Sequence, residues 1–509
     1  MLTDSIPKIT SSEGCWEVLW CDPVREVRWY RDDPLLAGLP SLTEWARRHG
    51  TRARQPVVLH SSGRVIAEVN AFFASLRMRN RAEGTNEKYA RGLVLWLNFL
   101  DSMGRRWHEA RAEDVEALKF WRMTDEANPW RVGGSTVVDN LVAVNAFYEW
   151  ALARYGVANP VERRQPRVAA RSGAVVAGFA ASPGVVKSKD VKWLDPAGYQ
   201  RWRDVGLGGL DLSGDELSSW RGRNGQRDCA FADGLYGTGL RLTEGGSLLQ
   251  LELPADSGRG YFSGRLAAAC AKNSRGRTFW VPRAVLSGWL SYAEGERSAA
   301  VRRAQAAGRY ERVVGMLVLE RIVGGRRVHL RDADGCRQTV PLDVLGPTVR
   351  RRIFLQTPSG LAPAALWLNE DGLPRQPKGW EHTFTRANER VTAIGLAGLS
   401  ATPHMLRHSM ALRWYSVGKM LYERRYAHLD EAEMRDFRAQ FGDTWFLVQT
   451  LLGHADVATT MDIYLEPFRD LEVELLIEHA HGTAMASLMA EMFADHPQVM
   501  TDPLVKGVW

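Results

Sequence analysis

The chain has 509 residues, 45% of them apolar and 25% charged, enough for two or three domains with full cores. It contains no run of 18 or more apolar residues, so no membrane span is expected, and Met1-Leu2-Thr3-Asp4-Ser5 has neither the basic nor the apolar stretch of a secretory signal. The net charge of +7 (66 basic against 59 acidic side chains) is too mild to mark a nucleic-acid binder by itself, and five scattered cysteines without a CxxC pair argue against a disulfide framework or zinc site and for a reducing, cytoplasmic setting.

Residues 1–60 carry Trp16, Trp20 and Trp29, which predict a small packed extension, because aromatics are scarce in disordered segments. A helical period begins near Val65 and runs through Val69, Phe72, Phe73 and Leu76. A second helix is predicted on Tyr89, Leu93, Trp96, Leu97 and Leu100, ending at Gly104, and a third from about Ala112 to Met123. A fourth opens at Thr136, with Asp139 three residues later as in a capping box, and continues through Val137, Leu141, Val144, Phe147, Tyr148 and Trp150. Residues 65–155 therefore read as a small all-helical domain. Asn159-Pro160 and Ser182-Pro183-Gly184 break the pattern, so 156–192 reads as a linker. It holds Arg163, Arg164, Arg167, Arg171, Lys187, Lys189 and Lys192 against Glu162 and Asp190, which suits either a segment that tracks a phosphate backbone or a solvated loop.

A C-terminal domain is expected over 193–496, with a helix, a short β region around Lys272 to Pro282, and then mostly helix. Residues 296–352 depart from this, with thirteen arginines against six acids. The pieces 313–319 and 327–331 look like strands, and the whole reads as a basic insertion that makes extra contacts to DNA or a partner. A shorter insertion is expected at 419–443, and an amphipathic helix at 471–495 on Leu475, Leu476, Ile477, Leu488, Met489, Met492 and Phe493. The fold class expected is mainly α with a small β-sheet.

Four short stretches of the C-terminal domain carry chemistry. They are Gly239-Leu240-Arg241-Leu242-Thr243-Glu244, Ala271-Lys272-Asn273, His404-Met405-Leu406-Arg407-His408, and Leu451-Leu452-Gly453-His454 with Tyr464 ten residues later. Arg241 and Arg407 suit a phosphodiester, since guanidinium stays charged and grips two oxygens in a fork. His404 and Arg407, three apart on a helix after Thr402-Pro403, share a face, and His404 can take and return a proton. Glu244 stands where it can pair with Arg241 at i+3, or serve as a helix N-terminal acid. His408 lies at metal-ligand spacing from His404, but no HExxH glutamate or third ligand accompanies it, so it reads as a packing residue and no metal is expected.

In order and spacing these stretches resemble the catalytic set of the tyrosine recombinases, the phage-integrase family. The resemblance covers 190–470 in its motifs and 65–155 more loosely, where the helical domain is similar to the family's core-binding, SAM-like DNA-binding domain. It implies that Arg241 and Arg407 clamp the scissile phosphate, that His454 donates to a non-bridging oxygen, and that Tyr464 is the nucleophile. Lys272 would protonate the departing 5′ oxygen from a β-hairpin that is two residues longer than in the family, with Arg275 and Arg277 as neighbouring DNA contacts. It also implies transesterification through a 3′-phosphotyrosyl bond without metal, ATP or other cofactor. The partner would be double-stranded DNA, in a homotetramer on paired sites with accessory proteins possible in such systems. The C-terminal helix would pack on a neighbouring protomer or cover its own domain. Alternatives of the same chemistry are a type IB topoisomerase or telomere resolvase, and of another class a catalytically silent DNA-binding regulator.

Overall fold

The computed structural model describes residues 14–21, 44, 48–52, 54–81, 83–164, 167–168, 175–176, 178–183, 192–411, 413–414, 499–500 and 502. The chain divides into two compact units, Met1–Lys189 and Asp190–Trp509.

The first unit opens with an antiparallel pair, β1 (Trp16–Trp20) and β2 (Pro56–His60), with Trp16 opposite His60. Five helices follow: α1 (Ala67–Ala74), α2 (Leu76–Arg79), α3 (Glu83–Ser102), α4 (Ala112–Met123) and α5 (Gly134–Tyr155). Their apolar stripes meet in one core that includes Val69, Phe72, Leu93, Trp96, Leu118 and Phe147. The N-terminal extension is part of this core. Trp16 is buried in it, and the buried Asn98 of α3 clamps the Trp16 backbone, accepting from its N–H at 2.7 Å and donating to its carbonyl at 3.0 Å.

Two sequence expectations shift here. The sequence pattern puts Val65 and Leu76 on the first stripe, yet they are 59% and 74% exposed. Ser75 is extended (φ −66°, ψ 156°), so Leu76 starts a new helix turned off the stripe, and Val65 precedes α1 altogether. The fourth helix starts before Thr136, with Gly133 as its N-cap and no side-chain cap, so Thr136 and Asp139 are exposed residues of its first turns and not a capping box.

The predicted linker folds back on the helical unit. Val161 and Ala181 are buried in its core, and backbone bonds join Arg164 N to Gly178 O and Ala180 N to Glu162 O, both at 2.8 Å. Arg163 pairs with Glu149, which also holds Arg77 at 2.8 Å, and Arg164 donates to Ser182 O at 2.9 Å. These two arginines are thus tied into local structure, and only their exposed surfaces are left to meet a phosphate. Arg167 lies in a two-residue pair, β3 (Arg167–Val168) with β4 (Val175–Val176). Arg171, Lys187 and Lys189 are outside the described residues.

The second unit begins with β5 (Trp193–Leu194) and α6 (Pro196–Arg203), whose N-cap Asp195 accepts from Gly198 N at 2.6 Å. Next come α7 (Gly225–Thr238), α8 (Leu242–Gly246) and a hairpin of β6 (Tyr261–Leu266) with β7 (Arg277–Pro282). Helices α9 (Arg283–Tyr292) and α10 (Ser298–Ala306) lead into a five-stranded sheet. Its strands are β8 (Leu317–Val323), β9 (Arg327–Arg331), β10 (Arg337–Pro341), β11 (Ile353–Thr357) and β12 (Gly360–Pro363), in the order β10-β9-β8-β11-β12, with α11 (Pro347–Arg350) between β10 and β11. Then come α12 (Pro377–Ala393) and helical residues 403–411, and β13 (Val499–Met500) pairs in parallel with β5. Aromatic rings fill the core: Phe231 stacks on Trp380 at 3.6 Å, and Trp202 on Phe384 at 5.3 Å.

The arginine-rich stretch is a sheet region that runs past 352 to Pro363. Strand β10 escaped the sequence reading because Arg337, Gln338 and Thr339 are all exposed and give no apolar alternation. Residues 313–316 are not strand; Gly315 (φ +65°) turns the chain into β8. The basic count overstates the basic surface. Arg297 is buried and donates to the carbonyls of Pro363, Ala365 and Leu366, and Arg350 is buried against Glu252 and the carbonyls of Leu342 and Leu345. Arg326 pairs with Asp343 at 2.8 Å, and Arg331 and Arg337 share Glu320. No described helix is long and apolar enough to cross a membrane.

Candidate active site

The junction of α7 and α8 builds the centre of the site. Gly239 ends α7 in the left-handed conformation (φ +66°), a C-cap that glycine adopts at no steric cost, and its N–H bonds Leu235 O at 3.0 Å. Two residues on, Arg241 sits at the N-cap of α8. Glu244, in the first turn of α8, is 1% exposed. Its carboxylate accepts the Arg241 backbone N–H at 2.9 Å and the Arg241 Nη1–H at 2.9 Å. Arg277, at the start of β7, donates to both oxygens of the same carboxylate, at 2.7 and 3.2 Å.

Arg407 completes the cluster from the helix 403–411. Thr402 Oγ1 accepts Met405 N at 3.2 Å, and Pro403 stands in the first helical position, where its missing N–H costs nothing. Arg407 is 2% exposed and donates through Nη1 to the carbonyl of Gly239. Among the described residues, three guanidinia thus gather around one carboxylate. Burial pushes the Glu244 carboxyl up, but the Arg277 and Arg241 guanidinia outweigh it and hold the group at about 2. Burial and the neighbouring positive charge of Arg241 push Arg407 down to about 9, against the pull of Glu244. Arg407 remains charged at neutral pH, and among the described residues Glu244 is the carboxylate that faces the three guanidinia.

The cluster adjoins a cavity of about 470 Å³. Arg241, Leu242 and Thr243 form one wall, Glu381, Phe384, Thr385 and Asn388 of α12 a second, and Ala401 to His404 a third. His404 is exposed into this space, while Arg407, one turn on, points inward to Gly239. Asn388 ties two of the walls together. It accepts from Trp202 Nε1 at 2.8 Å and Ala401 N at 2.9 Å, and donates to Ala401 O at 2.9 Å. Sequence reasoning missed Asn388, because a single asparagine in a helix carries no motif. His408 lies with its ring edge on to His404, centroids 4.3 Å apart.

The structure therefore brings together Arg241, Glu244, His404 and Arg407 from the sequence-predicted set, and adds Arg277. Arg277 was expected as a DNA contact; it is 15% exposed with its donors turned inward on Glu244, because a buried carboxylate draws the nearest guanidinium. Lys272 and Arg275 lie on the connection between β6 and β7, both exposed, and Lys272 does not line the cavity. His454 and Tyr464, with the stretches 419–443 and 471–495, are outside the described residues. No group of three or more His, Cys, Asp or Glu among the described residues is placed to hold a metal ion.

Residues 69–155 match the family model for the phage integrase N-terminal SAM-like domain. The chain carries a phage integrase SAM-like domain. The match begins inside α1 and ends on the last residue of α5, so it spans the helical core of the first unit. No curated protein matches the sequence. Among solved structures, the chain is similar to the XerH site-specific recombinase bound to palindromic difH substrate in a post-cleavage complex (12% identity, 80% of this chain and 83% of that one, TM-score 0.40). It is also similar to the Tn1549 transposon integrase in complex with a circular intermediate DNA (14% identity, 84% and 99%, TM-score 0.41) and to XerA recombinase (14% identity, 85% and 98%, TM-score 0.26). These likenesses are loose, and the functional reading rests on the SAM-like domain and on the residues of the site.

Replacing Glu244 by Gln should show its charge in stability. A carboxyl held at about 2, below its ordinary 4.5, contributes stability that is fully present above pH 4.5 and lost as pH falls toward 2. Thermal unfolding of Glu244→Gln should be lowered at pH 6 and lose far less than the native chain between pH 4.5 and 2; equal acid sensitivity of the two would contradict the pairing. Arg407→Ala should slow the chemical step by a factor on the order of 10² to 10³, the usual cost of a lost transition-state donor; single-turnover rates near those of the native chain would remove Arg407 from the site.

Proposed function

We propose that this chain is a site-specific DNA recombinase of the tyrosine-recombinase type, which cuts and rejoins DNA through a 3′-phosphotyrosyl intermediate. The observation that carries the reading is the Arg241–Glu244–Arg407 cluster at a cavity shared with His404. A phosphodiester is a stable anion, and its attack by a phenol gathers charge on the non-bridging oxygens. Guanidinia fixed beforehand beside the phosphate stabilise that charge without reorganising during the reaction. The SAM-like domain supplies the second part of the argument, because it is a domain of phage integrases. The partner in this reading is double-stranded DNA.

In this reading the Tyr464 Oη bonds to phosphorus as the 5′-oxygen bond breaks. Arg241 and Arg407 hold the non-bridging oxygens, and His454 adds a hydrogen bond to one of them. His404 accepts the phenolic proton, and Lys272 delivers one to the departing 5′ oxygen. In the return step a 5′-hydroxyl gives its proton to Lys272 and bonds to phosphorus as the bond to Tyr464 Oη breaks, His404 gives its proton back to the phenol, and one phosphodiester replaces another. The energy of the bond stays in the covalent link throughout, so no ATP is consumed. Paired recombination sites call for four protomers, and the 471–495 segment, amphipathic in sequence, is proposed to join them.

Tyr464→Phe should abolish covalent attachment to a nicked suicide substrate while leaving DNA affinity nearly unchanged. Covalent product in that variant would remove Tyr464 as nucleophile, and native protein that relaxes plasmids without any recombination site would move the reading to a type IB topoisomerase. The exposed Arg321 and Arg327 on the five-stranded sheet are proposed to touch the DNA backbone. Each phosphate contact contributes about 0.9 to the slope of log affinity against log salt, so Arg321→Gln with Arg327→Gln should flatten that slope by nearly 2. An unaltered slope would place the sheet away from DNA.

A further inference from the structure

Two of the basic groups at the connection end of the β6–β7 hairpin have opposite environments. Lys272 is exposed on the connection. Arg277 opens β7 directly across from Leu266, the last residue of β6, so it stands at the root of the connection that carries Lys272. Its two terminal nitrogens are spent on the two oxygens of Glu244, at 2.7 and 3.2 Å. Glu244 in turn holds Arg241 by backbone and side chain, both at 2.9 Å. A carboxylate that is 1% exposed therefore receives donors from the hairpin and from the residue that lines the cavity.

This arrangement sets Arg277 apart from an ordinary phosphate contact. A guanidinium that meets DNA presents its nitrogens outward, whereas Arg277 is 15% exposed and points them inward. Its geometry is the fork that only arginine provides, two parallel N–H donors to one carboxylate, and lysine cannot reproduce it. Without Arg277, Glu244 would keep one partner, and its free lone pairs would compete for the Arg241 guanidinium in other orientations.

We propose that Arg277 is a positioning residue of the strand-cutting site, which through Glu244 fixes the Arg241 guanidinium at the cavity and anchors the connection bearing Lys272. The proposal rests on the recombinase reading. It assigns Arg277 no contact with the reacting phosphate; its effect passes through Glu244.

The test uses the full chain and a nicked suicide substrate, with single-turnover cleavage, the salt dependence of DNA binding and the pH–rate profile measured for the native protein and for Arg277→Gln, Arg277→Lys, Glu244→Gln and the Arg277→Gln/Glu244→Gln double variant. Arg277→Gln should cut about tenfold to a hundredfold more slowly with an unchanged salt slope, and the double variant should be no slower than the slower single, as for two groups that act as one unit. The acid limb of the Arg277→Gln profile should move to higher pH, since Glu244 loses a cationic partner. Arg277→Lys, which keeps the charge and one donor, should recover part of the rate and serves as the second variant where the glutamine change lowers folding. A salt slope flattened by about 1 would make Arg277 a phosphate contact and overturn the proposal. Additive losses in the double variant, or cleavage by Arg277→Gln at the native rate, would also overturn it. A native chain that forms no adduct sinks the recombinase reading itself, and this proposal with it.

Discussion

A single buried carboxylate facing three guanidinia is the constraint on which the second unit turns. Arginine cannot discharge inside a protein, so buried guanidinia need an anion or a cluster of carbonyls around them. Here Glu244 pairs with Arg241 and with both terminal nitrogens of Arg277, and the Gly239 carbonyl receives Arg407. Among the described residues Glu244 is the carboxylate the cluster shares, and Arg241 carries the cluster to the edge of the cavity.

Holding such a group in place requires stiff surroundings, and the aromatic core provides them. Trp380 of α12 stacks on Phe231 of α7, and Trp367 donates from Nε1 to Gly245 O at 2.8 Å, which joins α8 to the same cluster of rings. Asn388 then fastens the Ala401 backbone to α12, and Trp202 fastens Asn388. Every wall of the cavity is thus hydrogen-bonded or stacked onto the next, the preorganisation that electrostatic catalysis needs.

Much of this was legible in the sequence, for identifiable reasons. Helices α3 and α4 declared themselves because their buried positions repeat at helical spacing, and the Gly239-Leu240-Arg241 and His404-to-Arg407 stretches are compact enough to read as local turns. What escaped depended on contacts between distant residues. Ser75 breaks the first stripe with an extended backbone that nothing in its neighbours foretells. The arginines of the sheet region looked like a basic surface, yet Arg297 and Arg350 point into carbonyl-lined interiors that only the folded chain creates. Arg277 read as one more surface cation beside Lys272, since its partner Glu244 lies 33 residues away. The linker after the helical domain reads as a basic, solvated segment because its charges are dense, but Val161 and Ala181 are buried in the helical core.

The peptide unit at Gly239 concentrates risk in one place. Its left-handed turn aims the chain into Arg241, while its oxygen receives Arg407 from 168 residues further on. Arg241 and Arg407 are thereby referenced to a common origin, so a shift of that one carbonyl moves them together and preserves the gap between them. The same economy makes the position intolerant: a side chain forced in there would tilt the two arms at once, and no repacking of either helix could restore their spacing alone.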